Sequence, residues 1–240
     1  MLLEARRATR EESVAGACRG DPTMSVRISG GVFRGRVLTG PPRVDSRRGP
    51  MQAAHRTRPS AVRLRKSLFA VLAEEMAEAR VLDLCAGVGT LGFEALSRGA
   101  RECVFVERSP RLGRLIERNA ARVGTSAFEL VVGDALGELR RFLGAGREFD
   151  VAFLDPPWET WESEQGLELL RGAVSLAPLV VAEHRSSWTA PSSVVVRPEP
   201  EPESRVCPSS GVKTRTTAAG DGAFSLYRWA EGNESVDTLA

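Results

Sequence analysis

"LDLCAGVGTLG", residues 82–92, decides how this chain is read. Gly87, Gly89 and Gly92 match G-x-G-x-x-G, the apolar "RVLDLC" (80–85) before them reads as a strand, and "TLGFEALSR" (90–98) after them reads as a helix. In an open α/β sheet, a strand, a glycine loop and a helix in that order take an adenosine-bearing cofactor, because bare backbone and a helix N-terminus let the ligand come close. Glu107 stands where a dinucleotide site expects its ribose partner, about 20 residues on. The glycines by themselves do not separate a nicotinamide dinucleotide from another adenosine cofactor.

Outward from the loop, the pattern alternates. Gly99 is expected to stop the first helix. Strand "CVFVE" (103–107) leads to a helix from Ser109 to Val123 that Gly124 ends. Strand "FELVVGD" (128–134) leads to a short helix near 135–143, and strand "DVAFLD" (150–155) runs into "PPW". A helix near 162–173 then leads to strand "LVVAEH" (179–184). This alternation predicts a parallel α/β sheet with helices on both faces. "GAFSLYRW" (222–229) is the expected last strand, with Val194 to Arg197 as its antiparallel partner and the proline-rich 190–210 as a loop or insertion.

Toward the N-terminus, Ser60 is expected to cap a helix running to about Ala77, and 39–57 reads as a basic Pro/Gly loop. Residues 25–38 read as short strands or a hairpin. The expected organisation is a disordered extension over 1–24, a basic N-terminal RNA-binding subdomain over 25–58, the main domain over 59–230 and a disordered tail over 231–240.

With 240 residues, 42% apolar and 27% charged, the chain suits a globular protein with one substantial core. No apolar run approaches the ~20 residues of a membrane span. "MLLEARRATREES" lacks the apolar stretch of a secretory signal. Cys18, Cys85, Cys103 and Cys207 form no C-x-x-C pair, and His55 and His184 have no ligand spacing, so no metal site is expected and a reduced, cytoplasmic protein is. Cys85 is expected to pack in the core, and His184 to end a strand. Residues 1–66 hold 15 Lys and Arg against 5 Asp and Glu, whereas 67–240 hold 18 against 26. A basic N-terminal part on an acidic body points to a polyanionic partner.

The acids choose the cofactor. Asp83, Glu107, Asp134 and Asp155 each sit at or near the carboxyl end of a predicted strand, where open α/β sheets bind ligands. The pyrophosphate of a nicotinamide dinucleotide sits badly against such carboxylates. S-adenosylmethionine brings a sulfonium, an ammonium, ribose hydroxyls and an adenine amine, all cations or donors that a carboxylate accepts. On this reading Asp83 with Ala86, Gly87 and Gly89 holds the methionine part, Glu107 takes both ribose hydroxyls, and Asp134 takes the adenine amine.

Asp155-Pro156-Pro157-Trp158 supplies the second half of the chemistry. An exocyclic nucleobase amine is a poor nucleophile, because its lone pair is delocalised into the ring. A carboxylate and a carbonyl together bind its two N–H groups and orient the lone pair toward a methyl donor. Trp158 stacks on the base. Methylation of cytosine C5 is disfavoured, since no cysteine nucleophile sits in or beside this stretch.

Seven stretches together resemble the RsmD family of bacterial 16S ribosomal RNA guanine-N2 methyltransferases: "RISGGVFRGRVL" (27–38), "TRPSAVRLRKSLFAVL" (57–72), "LDLCAGVGTLGFEALSRGA" (82–100), "FVERSPRLGRLIERN" (105–119), "GDA" (133–135), "FLDPPW" (153–158) and "VVAEH" (180–184). The resemblance implies a Rossmann-like class I S-adenosylmethionine-dependent methyltransferase fold with a mostly parallel seven-stranded sheet. It also implies a guanine N2 target in 16S rRNA, within a small ribosomal subunit or its assembly intermediate. Arg27, Arg34, Arg36 and Arg58 are the candidate RNA contacts. The chain departs from the family at Val62, Lys66, Ala70 and Ala219. Alternatives that share these features are an adenine-N6 methyltransferase, a non-catalytic RNA-binding ribosome assembly factor, and a nicotinamide oxidoreductase.

Overall fold

The computed structural model describes residues 23–42, 59–195 and 210–230. Strands β1 (Thr23–Arg27) and β2 (Val37–Pro42) pair antiparallel as a separate hairpin. Helix α1 (Pro59–Val71) follows, then a 3-10 turn at Glu74–Met76. The alternation expected from the motif comes next: β3 (Arg80–Leu84), α2 (Thr90–Ser97), β4 (Glu102–Glu107), α3 (Pro110–Val123), β5 (Phe128–Val132), α4 (Ala135–Gly144), β6 (Val151–Leu154), α5 (Glu164–Leu176) and β7 (Leu179–Arg185). Strands β8 (Ser193–Val195), β9 (Ser210–Ala219) and β10 (Gly222–Ala230) close the sheet.

The sheet order is β5-β4-β3-β6-β7-β10-β9-β8, parallel from β5 through β7 and antiparallel beyond. The chain steps outward from β3 to β5 and then crosses back to β6, so the strand order reverses between β3 and β6. That switch point is where this architecture opens a crevice at the carboxyl ends of its strands.

Side-chain alternation divides the sheet into two packed layers. Val81, Phe105, Phe153 and Val181 face α1, α2 and α3, together with the hairpin's Ile28 and Leu38. Leu82, Val104, Leu154 and Val180 face α4 and α5. Local signals set the helix ends. The Ser109 hydroxyl accepts from the Leu112 amide and Pro110 opens α3, while Gly124 ends it at φ 65°. Gly99, at φ 108°, ends α2.

Several expectations need correction. Among the described residues the sheet has eight strands rather than seven, because β8 adds to its edge, and Val194 pairs with β9 rather than with the last strand. Helix α1 begins at Pro59, so Ser60 lies in its first turn instead of capping it, and regular helix stops at Val71 rather than Ala77. β1 starts at Thr23, inside the stretch expected to be disordered. The other residues of that stretch, the 231–240 tail and most of the basic loop lie outside the described residues.

The hairpin is built onto the main core rather than standing apart. Ser97, at the end of α2, receives the Val32 amide on its carbonyl at 2.7 Å and the Phe33 amide on its hydroxyl at 2.8 Å. Gly31 passes so close, at φ 74°, that a Cβ there would lie 1.6 Å from the Ser97 carbonyl oxygen. Glu94, 1% exposed, accepts from the Ser29 amide at 2.7 Å and pairs with Arg65 at 3.3 Å and Arg98 at 3.2 Å.

Candidate active site

A cavity of about 480 Å³ opens at the carboxyl ends of β3 through β7. Glu107 ends β4 and is 8% exposed. Its Oε2 accepts from the Gly87 amide at 2.8 Å and its Oε1 from the Ser109 amide at 2.7 Å. A carboxylate offers about four lone-pair sites, so these two bonds fix Glu107 and leave acceptor capacity toward the cavity. Asp134 also lines the cavity and caps α4, its Oδ2 accepting from the Gly137 amide at 3.1 Å. Gly87 completes this side of the wall.

Asp155, Pro156, Pro157 and Trp158 line the same cavity just past β6. The Asp155 amide donates to the Leu84 carbonyl of β3 at 3.4 Å, which ties this turn to the glycine-loop strand. The Arg185 guanidinium lies over the Trp158 ring, 5.2 Å from its centre. Glu107, Asp134 and Asp155 therefore converge on one space, although they come from three different strands.

Asp83 does not join them. It is 1% exposed, lies behind the cavity wall, and its Oδ2 accepts from the Gly92 amide at 2.9 Å. Through that bond it braces the first turn of α2. Ala86 and Gly89 also lie outside the lining: Ala86 donates to Val106 at 3.0 Å, and Gly89 donates back to Ala86 at 2.9 Å to close the turn. Gly92 permits the tight seat of α2 on the sheet, since a Cβ there would meet the Phe105 ring at 2.2 Å. Cys85 is not packed core; it is half-buried, lines the cavity and takes φ 62°, a strained conformation for a side-chain-bearing residue.

Two of the four candidate RNA contacts are engaged within the protein. Arg27 donates to the Gly35 carbonyl at 2.6 Å and closes the hairpin loop. Arg36 donates to the Val123 carbonyl at the end of α3 and lies over Phe33 at 5.3 Å. Arg34 is exposed on the loop beside Val32, itself 79% exposed. Arg58 lies outside the described residues.

Sequence reasoning passed over three residues. Asn119, wholly buried, accepts from the Thr39 amide at 2.8 Å and donates to the Thr39 and Val88 carbonyls, each at 3.1 Å. It thereby bolts β2 to the glycine loop, and Val26 and Gly40 of the hairpin become part of the cavity wall. The signal was an asparagine on the apolar stripe Leu115, Ile116, Ala120, Val123 of α3. Glu183 and Arg185 of β7 line the cavity as well, and the strand-end rule that selected the other acids applies equally to Glu183.

His184 points the other way, 1% exposed, into the layer of α4 and α5. Its Nδ1 donates to the Arg185 carbonyl at 2.8 Å, so in the neutral ring Nε2 accepts from the Ser225 hydroxyl at 2.8 Å. Burial lowers its pKa below the ordinary histidine value. Burial likewise pushes the Cys103 thiol up, which keeps it protonated and unreactive. Among the described residues, no group of three or more His, Cys, Asp or Glu could hold a metal ion, and no helix is long and apolar enough to cross a membrane.

The donor set tests the cofactor. Glu107 and Asp134 give one side of the cavity wall carboxylate acceptors for a ligand rich in N–H and O–H donors. S-adenosylmethionine fits these residues.

The model of a protein family described as "Conserved hypothetical protein 95" matches residues 26–196. The chain is 28% identical over 214 residues to "Ribosomal RNA small subunit methyltransferase D" of Escherichia coli K12, covering 88% of this chain and 94% of that protein. It is 26% identical over 205 residues to the protein of the same name from Haemophilus influenzae, covering 85% and 93%. A solved structure of a hypothetical protein from Thermus thermophilus is 28% identical and superposes with a TM-score of 0.62, covering 85% of this chain and 99% of that one.

Proposed function

The chain belongs to the Conserved hypothetical protein 95 family, and for this methyltransferase we propose one reaction: transfer of the methyl group of S-adenosylmethionine to the exocyclic N2 of a guanine in 16S ribosomal RNA. The observation that carries the reading is a single cavity walled both by Glu107 and Asp134 and by the Asp155-Pro156-Pro157-Trp158 turn. A methyl donor and an amine acceptor need adjoining subsites, and this wall provides chemistry for each.

Glu107 holds the ribose hydroxyls, on a carboxylate already oriented by two backbone amides. Asp134 takes the adenine amine. S-adenosylmethionine would supply an electrophilic methyl group on a sulfonium, whose S–CH3 bond breaks as the N–CH3 bond forms, leaving neutral S-adenosylhomocysteine and one proton released from the amine. Asp155 and the Pro156 carbonyl accept the N–H groups of the guanine amine and turn its lone pair toward that methyl, while Trp158 covers the base. Catalysis on this reading is mostly orientation and proximity, with the wall excluding water. The substrate is a small ribosomal subunit or its assembly intermediate, in keeping with the names of the relatives.

The test is mass spectrometry of ribosomal RNA from a strain lacking the gene, which should lose one N2-methylguanosine from 16S rRNA and regain it on complementation. Complementation with Asp155→Ala should leave the methyl group missing, although the purified variant still binds S-adenosylmethionine in calorimetry. An unchanged RNA in the deletion strain would refute the reading, as would full methylation by Asp155→Ala. Rescue of a growth defect by Asp155→Ala without methylation would identify an assembly factor instead.

A further inference from the structure

Glu183 and Arg185 sit two residues apart on β7, so both project to the same face of the sheet. The parallel register pairs Leu154 with Ala182, which places Asp155 and Glu183 side by side at the ends of neighbouring strands, about 4.8 Å apart in the sheet direction. The alternation that puts Phe153 and Val181 in the α1 layer turns Asp155 and Glu183 to that layer too. Behind these two acids lies a recess of about 20 Å³, walled by Ala61, Leu64, Arg65, Thr90, Leu91 and Phe224. The Thr90 hydroxyl there is 4% exposed and has no hydrogen-bond partner among the described residues. Arg185 stands over Trp158, the ring assigned to cover the base.

We propose that Glu183 and Arg185 are the pair that selects guanine. The inference rests on the reaction proposed above and deepens it. A guanine edge presents, in order, the N2 amine, the N1–H donor and the O6 acceptor. Asp155 takes the amine, Glu183 next to it accepts from N1–H, and Arg185 one step further along β7 donates to O6. The three N–H bonds of the base then meet the Asp155 and Glu183 carboxylates and the Pro156 carbonyl. Adenine inverts the pattern. Its N1 lone pair would face the Glu183 carboxylate and its amine would lie where no acceptor pair is set for it. Sites built to hydrogen-bond a substrate N–H reject analogues that lack it far more strongly than sites that sense shape alone. The proposal accounts for a guanine preference that Asp-Pro-Pro-Trp alone does not give, since that turn serves any exocyclic amine.

The experiment uses small subunits reconstituted with 16S rRNA that carries either guanine or 2,6-diaminopurine at the position the wild-type protein methylates. 2,6-Diaminopurine keeps the N2 amine but offers a lone pair at N1 and an amine in place of O6. Wild-type protein should favour guanine by about 10⁴-fold in kcat/KM, the order seen when a site built to hydrogen-bond a substrate N–H meets an analogue without it. In Glu183→Gln the amide N–H can donate to N1 of the analogue, so the preference should narrow at least about tenfold, with S-adenosylmethionine affinity unchanged in calorimetry. A merely structural role for Glu183 would lower both rates together and leave their ratio fixed. That fixed ratio, in a protein whose wild-type form makes N2-methylguanosine, overturns the selector assignment alone. Wild-type protein that makes no N2-methylguanosine overturns the reaction itself, and the selector with it.

Discussion

Replacing Asn119 should show whether the N-terminal hairpin is part of the cofactor site or an appendage to it. The side chain is wholly buried and makes three hydrogen bonds, two to the Thr39 backbone in β2 and one to the Val88 carbonyl in the glycine loop. At a net ~1 kcal/mol per buried bond, Asn119→Ala should cost about 3 kcal/mol. In a chain of this size that corresponds to a fall in Tm of about 6–12 °C. The bond to Val88 belongs to the loop itself, and losing its ~1 kcal/mol should weaken S-adenosylmethionine binding about fivefold. Asn119→Asp is the sharper variant. It keeps the acceptor for the Thr39 amide, loses both donors, and sets a buried carboxylate against two carbonyl oxygens, so at pH 7 it should be less stable than the alanine variant. Urea denaturation followed by tryptophan fluorescence gives the stability, and calorimetry gives the affinity. A loss below ~1 kcal/mol together with unchanged affinity would refute the idea that Asn119 couples hairpin to loop.

The hairpin arginines should separate by function. Arg34→Ala should leave Tm unchanged and lower the salt slope of RNA binding by about 1, whereas Arg36→Ala should lose about 1 kcal/mol of stability with its bond to Val123. Equal effects of the two variants on stability would contradict the assignment. His184 should make the protein acid-sensitive. Its folded pKa is lowered by burial, so the unfolded chain binds the proton more readily; the stability it contributes is whole above about 6.5 and is lost as pH falls through the lowered folded value. The difference in urea midpoint between wild type and His184→Gln should therefore shrink from pH 7.5 to pH 5, and a constant difference would remove His184 as the cause.

The parallel half of the sheet was legible because β3, β4, β6 and β7 are buried on both faces and the chain is punctuated by Gly99, Ser109 and Gly124, whose backbone chemistry is local. The antiparallel edge was not. Val194 finds its partner in β9, across residues whose composition says loop, and pairing at a sheet edge depends on a distant strand rather than on local pattern. The helix from Pro59 was legible, but its cap was not, since Pro59 and Ser60 both suit a helix start and only the backbone decides between them.

The same limit governs the acids. A carboxylate at a strand end is visible in sequence, but the direction it faces and the hydrogen bonds it already makes are not. Asp83 and Glu107 lie on the same face of adjacent strands; Glu107 accepts from the Gly87 amide in the loop and Asp83 from the Gly92 amide in the first turn of α2. Asp83 comes before the end of β3, so α2 covers it; Glu107 is the last residue of β4, so its carboxylate reaches the cavity while bracing Gly87 and Ser109. Two residues of register therefore separate a brace from a candidate ligand, since Asp83 pairs with Phe105. By that geometric rule Asp155 and Glu183, adjacent across β6 and β7 and both at the open end, belong with Glu107 and not with Asp83. The charge that matters for recognition then lies at the carboxyl ends of the parallel strands, where a side chain can meet both the sheet and a substrate.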